Sequence, residues 1–557
     1  MRKFVFTISL IVFLSIAISV SADNIGEKRV FNIDPSYDLS ERQELTAVLV
    51  KKTPNLYFYV DEKWWNFTSQ NEIHQALSDL GQDFDNKIYP VLVSTFGPEW
   101  NPGIDKDPKI TILIHPMKES AGGYFRSNDE YSKLQVSDSN KREMIYLNAE
   151  YIRSPLAKSF LAHEFTHLIT FHQKQNTYDL IEKIWLNEAR AEYTSTLIGY
   201  DDEQITNLER RIQIFSDNPS DSIIDWQNTK YDYGSVSLFI QYLVDHYGIE
   251  ILIDSLHSPE VGIKSINYAL EKNGFVEDFS QIFLDWTIAV LVNDCNYGNK
   301  YCYKNINLKN FHVASKINFL PLTGKSMLTI GDVAKNWKGN WYKIIGGNGN
   351  LRLEFFSNSA EFFEVPYIIK NRSGNYIIDF LKIDGPEGEI YIEDFGTEII
   401  SLFIIPVVNK LEHDYFYSFS WSASIERSEE EDNLINSLLA NIEFLKAEIV
   451  RIQAKINAIL NKKPLPEPAS SCSLNANLYY GLSNEDVKCL QNFLKSQGPE
   501  IYPEALVTGN FLSLTRTAVI RFQEKYAQDV LIPWDLVRGT GVVGSTTRAK
   551  INQLLAK

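Results

Sequence analysis

The sequence predicts a multidomain α+β protein, and three observations predict it. Residues 28–289 run as apolar strands first and amphipathic helices after. Residues 305–425 are short aromatic and β-branched runs broken by Gly and Asn, and residues 435–459 carry a strict 3-4 apolar repeat ahead of a proline-rich break. At roughly 100–200 residues per domain, 557 residues leave room for about three to five folded units. Hydrophobic residues at 44% and charged residues at 22% exclude a chain disordered throughout. The 54 Lys and Arg against 71 Asp and Glu leave a net charge of −17, which argues against nucleic acid or anionic lipid as the main partner, because both reward a basic face.

The first element is a targeting segment. Met1-Arg2-Lys3, an apolar run from Phe4 to Val20 and the small residues Ser21-Ala22 before Asp23 predict a signal peptide over 1–22. Its removal leaves no membrane span and a product that is secreted or associated with the cell wall; an uncleaved anchor is the other reading. No Cys follows the apolar run, which argues against a lipoprotein. Export favours pairing of the four cysteines, and local pairing joins Cys295 to Cys302 and Cys472 to Cys489, although four cysteines allow three connectivities.

Within 23–303, strands are expected at Thr46–Val50 and Leu56–Val60, a helix over about 70–89, and buried strands at Lys109–Ile114 and Glu143–Leu147. Gly122–Tyr131 between the last two is a candidate edge segment. Helical periodicity dominates from Pro155 to Ala289. Residues 304–425 predict a β-sandwich. Residues 426–463 predict a coiled-coil helix with Ile435, Ile442, Ile449 and Ile456 in one position of the seam and Leu438, Leu445, Ile452 and Ile459 in the other, a mixture that fits a homodimer or trimer through 435–459. Leu434 and Leu439 widen the stripe, so a helix packed on its own chain is the alternative. Residues 464–470 form a Pro-rich linker and 471–557 a small helical unit.

The chemistry lies in Leu161-Ala-His-Glu-Phe-Thr-His-Leu168. His163 and His167 are four apart, so on a helix both imidazoles project from one face one turn apart, as two ligands of a zinc ion. Glu164 lies about 100° round, where its carboxylate reaches a water on the metal without coordinating it, as a general base requires. A catalytic zinc takes three protein ligands and keeps one position open. A third His ten residues after the first would be a metzincin feature, but that position is Gln173, and His172 is off register. Trp185-Leu-Asn-Glu-Ala-Arg-Ala-Glu-Tyr193 offers Glu188 as the third ligand instead. Glu192, one turn later, is placed to accept the free N–H of one histidine and fix its tautomer. For the developing oxyanion a neutral donor is needed; Tyr231 is favoured, Tyr233 comes second, and ordinary aromatic packing of both is the remaining reading. Asp105-Lys-Asp107 offers two carboxylates to a structural calcium, or is only a turn.

The His-Glu-Phe-Thr-His core followed by Trp-Leu-Asn-Glu-x-x-x-Glu-Tyr resembles a gluzincin metallopeptidase. With Phe96-Gly-Pro-Glu-Trp-Asn-Pro-Gly-Ile-Asp105 and Gly123-Tyr-Phe-Arg-Ser-Asn-Asp-Glu130, residues 40–290 are most similar to the hyicolysin-like family of secreted neutral peptidases. The resemblance implies a thermolysin-like zincin catalytic domain, one zinc, and endopeptidase action on proteins in which the segment Gly123–Asn128 pairs with the substrate backbone. Tyr231-Asp-Tyr-Gly234 also resembles the Tyr-x-x-Gly of gluzincin aminopeptidases, which supports Tyr231; the Gly-x-Met-Glu-Asn segment of those enzymes is missing here. Residues 471–557, with Val487, Leu490, Leu494 and Phe522 at helical spacing, are similar to a three-helix peptidoglycan-binding-like domain, except that its Gly-x-Phe-Gly-Pro-x-Thr turn is Gly509-Asn-Phe-Leu-Ser-Leu-Thr515. Two rival functions follow: a hydrolase cutting peptidoglycan stem peptides, or a non-catalytic wall-associated adhesin, against which the intact Glu164 argues.

Overall fold

The computed structural model describes residues 23–202, 205–322, 326–410, 415–426, 429–460, 472–534 and 536–556. The expected signal peptide (1–22) and Pro-rich linker (464–470) lie outside the described residues. The chain divides into two compact units, 1–435 and 436–557. Among the described residues no single helix is long and apolar enough to cross a membrane.

The first unit opens on a six-stranded sheet. Its strands are β1 (Lys28–Asn32), β2 (Glu44–Lys52), β3 (Leu56–Asp61), β4 (Ile110–His115), β5 (Gly123–Phe125) and β6 (Met144–Asn148), in the order β1-β2-β3-β4-β6-β5. The pairs β3/β4 and β4/β6 are parallel, and β5 closes one edge antiparallel to β6 with Tyr124 opposite Tyr146. Strand alternation divides the core between the two faces. Leu56, Phe58, Val60, Ile112, Ile114, Ile145 and Leu147 pack toward the helices, whereas Tyr57, Tyr59, Leu113, Tyr124 and Tyr146 pack with β1 and β2 on the other side.

Among the described residues ten α-helices belong to this part: α1 (Glu62–Phe67), α2 (Gln70–Asp83), α3 (Tyr89–Phe96), α4 (Ala157–Thr170), α5 (Ile184–Ile198), α6 (Asn207–Asp217), α7 (Lys230–Tyr247), α8 (Glu250–Leu256), α9 (Ile263–Lys272) and α10 (Phe279–Val292). The stretch expected to be helical over about 70–89 runs on as α2, a π-helical turn at Phe84–Ile88 and α3. Helix α4 is buried on nearly every side, as expected of a helix that is apolar all round. Helix α5 stops at Gly199 in the left-handed region, and α7 starts where Asp232 accepts from the backbone N–H (2.6 Å) and hydroxyl (3.0 Å) of Thr229.

Residues 316–426 form a ten-stranded sheet with a two-stranded ribbon beside it. The halves of the large sheet are joined by a single parallel pairing, Phe395 to Ile399, and they face one another: Tyr342 from one half meets Trp421 of the other with ring centroids 5.6 Å apart. The core of the helices crosses 303/304, although the strands beyond also enclose a cluster of their own around Tyr342 and Trp421. Trp337 and Trp341 belong to the same buried cluster as α10, the indole N–H of Trp341 donates to the Thr287 carbonyl at 2.8 Å, and Trp337 packs on Phe279 with centroids 4.9 Å apart. The Cys295–Cys302 disulfide closes the loop after α10.

Helix α11 (Glu429–Leu460) carries the heptad stripe, and from Leu438 to Ile456 that stripe is about half exposed. In the second unit, α12 (Glu485–Ser496), α13 (Ser513–Lys525), the short α14 (Ala527–Val530) and α15 (Ser545–Leu555) enclose Val487, Leu490, Leu494, Phe511, Val519, Phe522, Val543 and Ile551. The Cys472–Cys489 disulfide ties the start of this unit to α12. Gln491 is buried, and its side chain accepts from the backbone N–H groups of Thr508 and Gly509 while donating to the Asn510 carbonyl and the Thr515 hydroxyl. Gln523 repeats the arrangement with Gly541, Val542 and Thr547.

Candidate metal centre

Helix α4 brings His163, Glu164 and His167, and α5 brings Glu188 and Glu192, to the floor of a cleft of about 430 Å³. His163 Nε2 lies 3.1 Å from His167 Nε2 and 3.1 Å from Glu188 Oε2, and His167 Nε2 lies 3.5 Å from that same oxygen. Three atoms each 2.0–2.1 Å from a tetrahedral centre are about 3.3 Å apart, so the set is dimensioned for a zinc-sized ion. Among the described residues, His163, His167 and Glu188 form the one group of three or more such side chains with ligand atoms all within 4.8 Å.

The three side chains are held from behind. His163 Nδ1 faces Glu192 Oε1 at 3.3 Å, which leaves Nε2 directed at His167 and Glu188. Glu192 also accepts from Arg211 Nη2 (2.5 Å) and Nε (2.8 Å), from Asn207 (2.8 Å) and from the Ser237 hydroxyl (3.1 Å). Burial alone would push both carboxyls up. Arg211 and His163 instead hold Glu192 well below the ordinary range, and His167 and His163 hold Glu188 at about 2. Burial disfavours a charged His163, but Glu188 and Glu192 outweigh it and raise the ring to about 10 without a metal. Glu164 is raised by burial, against the pull of the two histidines.

The cleft wall opposite α4 is the edge strand β5. A Cβ on Gly123 would come within 2.6 Å of the Tyr146 carbonyl and 3.0 Å of Glu164 Cγ, so only glycine lets strand and glutamate approach this closely. The two tyrosines stand in the reverse of the expected order. Tyr233 lines the cleft, its ring centroid 6.5 Å from that of His163 and 4.5 Å from the Arg211 guanidinium carbon. Tyr231 is not among the cleft-lining residues, and its ring is approached by Lys230. Two residues along a helix turn through about 200°, so only one of the pair can face α4 and α5. Burial and the negative charge of Glu188 keep the Tyr233 hydroxyl neutral far above its ordinary range. Asp105 and Asp107 make a turn: Asp105 accepts from the Asp107 N–H (2.8 Å), and Asp107 accepts from Lys109 N–H (3.1 Å) and the Tyr57 hydroxyl (2.8 Å).

The chain is 28% identical over 222 residues to the neutral metalloprotease ShpI of Staphylococcus hyicus, covering 35% of this chain and 48% of that protein. It therefore spans about half the length of the curated relative it matches. No protein-family model matches. Among solved structures, the M60 catalytic domain with CBM51 domains of Clostridium perfringens ZmpB aligns over 69% of this chain and 60% of that one at 8% identity with a TM-score of 0.23. The pre-peptidase C-terminal domain of Bacillus anthracis collagenase aligns over 20% of this chain and 96% of its own length at 10% identity with a TM-score of 0.15. Likenesses this distant carry no argument.

Sequence motifs did not point to Arg211, Asn207 or Ser237, the residues that anchor Glu192, nor to Tyr37 and Arg210, which also line the cleft. One signal was available for Arg211. Leu208, Arg211 and Phe215 recur at helical spacing on the buried face of α6, and an arginine on a core face requires a buried acid.

Proposed function

We propose that the chain is an exported zinc endopeptidase with a thermolysin-like catalytic cleft. The observation that carries the reading is the convergence of His163, His167 and Glu188 to mutual distances of 3.1–3.5 Å, with Glu192 behind them and Glu164 beside them in an open cleft. The similarity to a neutral metalloprotease supports it independently. A bound zinc supplies Lewis acidity and lowers the pKa of a coordinated water. A substrate chain lies along β5 and pairs its backbone with the free edge of that strand. Glu164, raised by its burial, takes a proton from the attacking water and delivers it to the leaving amine. Tyr233, neutral and facing the ligands, donates to the carbonyl oxygen as it gains charge. Glu192 keeps the His163 ring in the orientation that presents Nε2. The leader over 1–22 directs the protein out of the cell, and the C-terminal unit holds it at the wall.

The test is metal analysis of the purified mature chain coupled to casein cleavage. One zinc per chain and activity abolished by chelator are expected. Glu164→Gln should retain the zinc and lose about 10²–10⁴-fold in kcat. A zinc-free chain, or a Glu164→Gln variant as active as the parent, rejects the reading.

A further inference from the structure

A second cluster of acids lies behind the edge strand, outside the zinc cleft. Glu130 ends the turn that follows β5, and Glu143 immediately precedes β6. They are 2% and 3% exposed, and their carboxyl groups lie within hydrogen-bond reach of each other. With both ionised, neither oxygen of Glu130 nor Glu143 Oε2 has a hydrogen-bond donor; Glu143 Oε1 accepts from the Ile104 N–H at 2.7 Å. An unpartnered, fully buried carboxylate is among the most costly arrangements a fold can hold, so its survival points to a missing positive partner.

The nearby guanidiniums do not fill that role. Arg142 is committed to Asp23 (2.8 Å) and Asp105 (3.4 Å), and Arg126 to Asp129 (3.3 Å) and Asp138. Asp105 and Asp129 add their own charges to the pair, and burial together with these neighbours pushes Glu130 well above its ordinary value and Glu143 to about 7. Gly103 closes the space from the third side. It lies in the left-handed region at φ 78°, and a Cβ there would fall 1.8 Å from Glu143 Oε2, so the loop backbone is pressed onto the carboxylate.

We propose that Glu130 and Glu143 bind a structural calcium ion that ties the 101–105 loop and the turn after β5 to the start of β6. Two carboxylates offer up to four of the 6–8 oxygens calcium takes, with main-chain carbonyls and water completing the shell. Magnesium demands near-ideal octahedral geometry and dehydrates reluctantly, so two fully buried carboxylates suit it poorly. The ion braces the strand that forms one wall of the cleft, so its loss loosens that wall without touching the histidines.

The test is calorimetric titration of the full mature chain, stripped with chelator and reloaded with one equivalent of zinc, using calcium chloride and then magnesium chloride. The expected results are one calcium per chain, no magnesium binding at the same concentration, and a melting temperature raised by several degrees with calcium. Glu130→Gln/Glu143→Gln should lose both calcium effects, retain its zinc, and melt without calcium no lower than the parent does. Absence of calcium binding by the parent up to about 10 mM, well above the dissociation constants of extracellular calcium modules, overturns the proposal. So does unchanged calcium binding by the variant. A parent that ignores calcium but is stabilised by acid near pH 7 would show a pair sharing a proton instead, which also overturns it.

Discussion

His163 Nδ1 lies 3.3 Å from Glu192 Oε1, and the same carboxylate is gripped by Arg211 of α6 and Ser237 of α7. The orientation of one imidazole of the candidate metal centre is thereby fixed by three other helices. Glu192 has no free acceptor capacity to spend elsewhere, so the contact is specific rather than incidental.

Replacing Glu192 by Gln keeps its shape but removes the charge that Arg211 and His163 share. Zinc affinity is expected to fall about 10–100-fold, as for other residues that orient a metal-bound histidine. Competition with a fluorescent zinc chelator measures it directly, and an unchanged constant would show that α4 alone orients the ring.

The two tyrosines at the start of α7 should separate cleanly. Tyr233→Phe is expected to lower kcat about 10²–10³-fold with little change in KM, because the hydroxyl serves only when the oxyanion forms. Tyr231→Phe should leave both constants as they are. Steady-state kinetics on one peptide decides between them.

Glu143 carries a pH signature in calcium-free protein. Its ordinary value is 4.5 and its folded value about 7, raised by burial and the charge of Asp105, so between these limits the folded chain holds a proton that the unfolded chain releases. Stability therefore falls as pH rises across that window and levels off above it, by on the order of 3 kcal/mol at most. Urea unfolding of parent and Glu143→Gln at about pH 5 and pH 8 should show the parent's relative advantage shrinking at the higher pH. Added calcium should abolish the difference in slope.

The stripe on α11 predicts association. Ile442, Leu445, Ile449, Ile452 and Ile456 are 46–57% exposed along one seam, and a 3.5-residue apolar period is matched by another helix of the same kind. Sedimentation of the full chain should give a dimer or trimer, and Ile449→Asp should give a monomer. A monomeric parent would leave the helix to another partner.

The parts legible from sequence were those set by local spacing. Strand alternation in β2 and β3 and the four-residue interval of His163 and His167 are properties of short stretches, and Glu188 and Glu192 follow the same helical rule. The choice between Tyr231 and Tyr233 was not legible, because which face α7 turns inward depends on α5 and α6. Glu130 and Glu143 are separated in sequence and meet only through the pairing of β5 with β6. The echo of Gln491 in Gln523 was visible as letters, but its meaning, a buried amide clamping a turn, depends on main-chain groups that no residue pattern displays.

Trp337 and Trp341 bear on how this gene can be cut. A fragment ended at residue 303 would lay bare Phe279, Phe283 and Trp286 and take away the Trp341 indole that donates to the Thr287 carbonyl. Such a fragment should accumulate as inclusion bodies, whereas one retaining residues through 426 should be recoverable from the soluble fraction. The strands after the disulfide loop are thus part of what folds the helices carrying the candidate metal centre, not cargo appended to them.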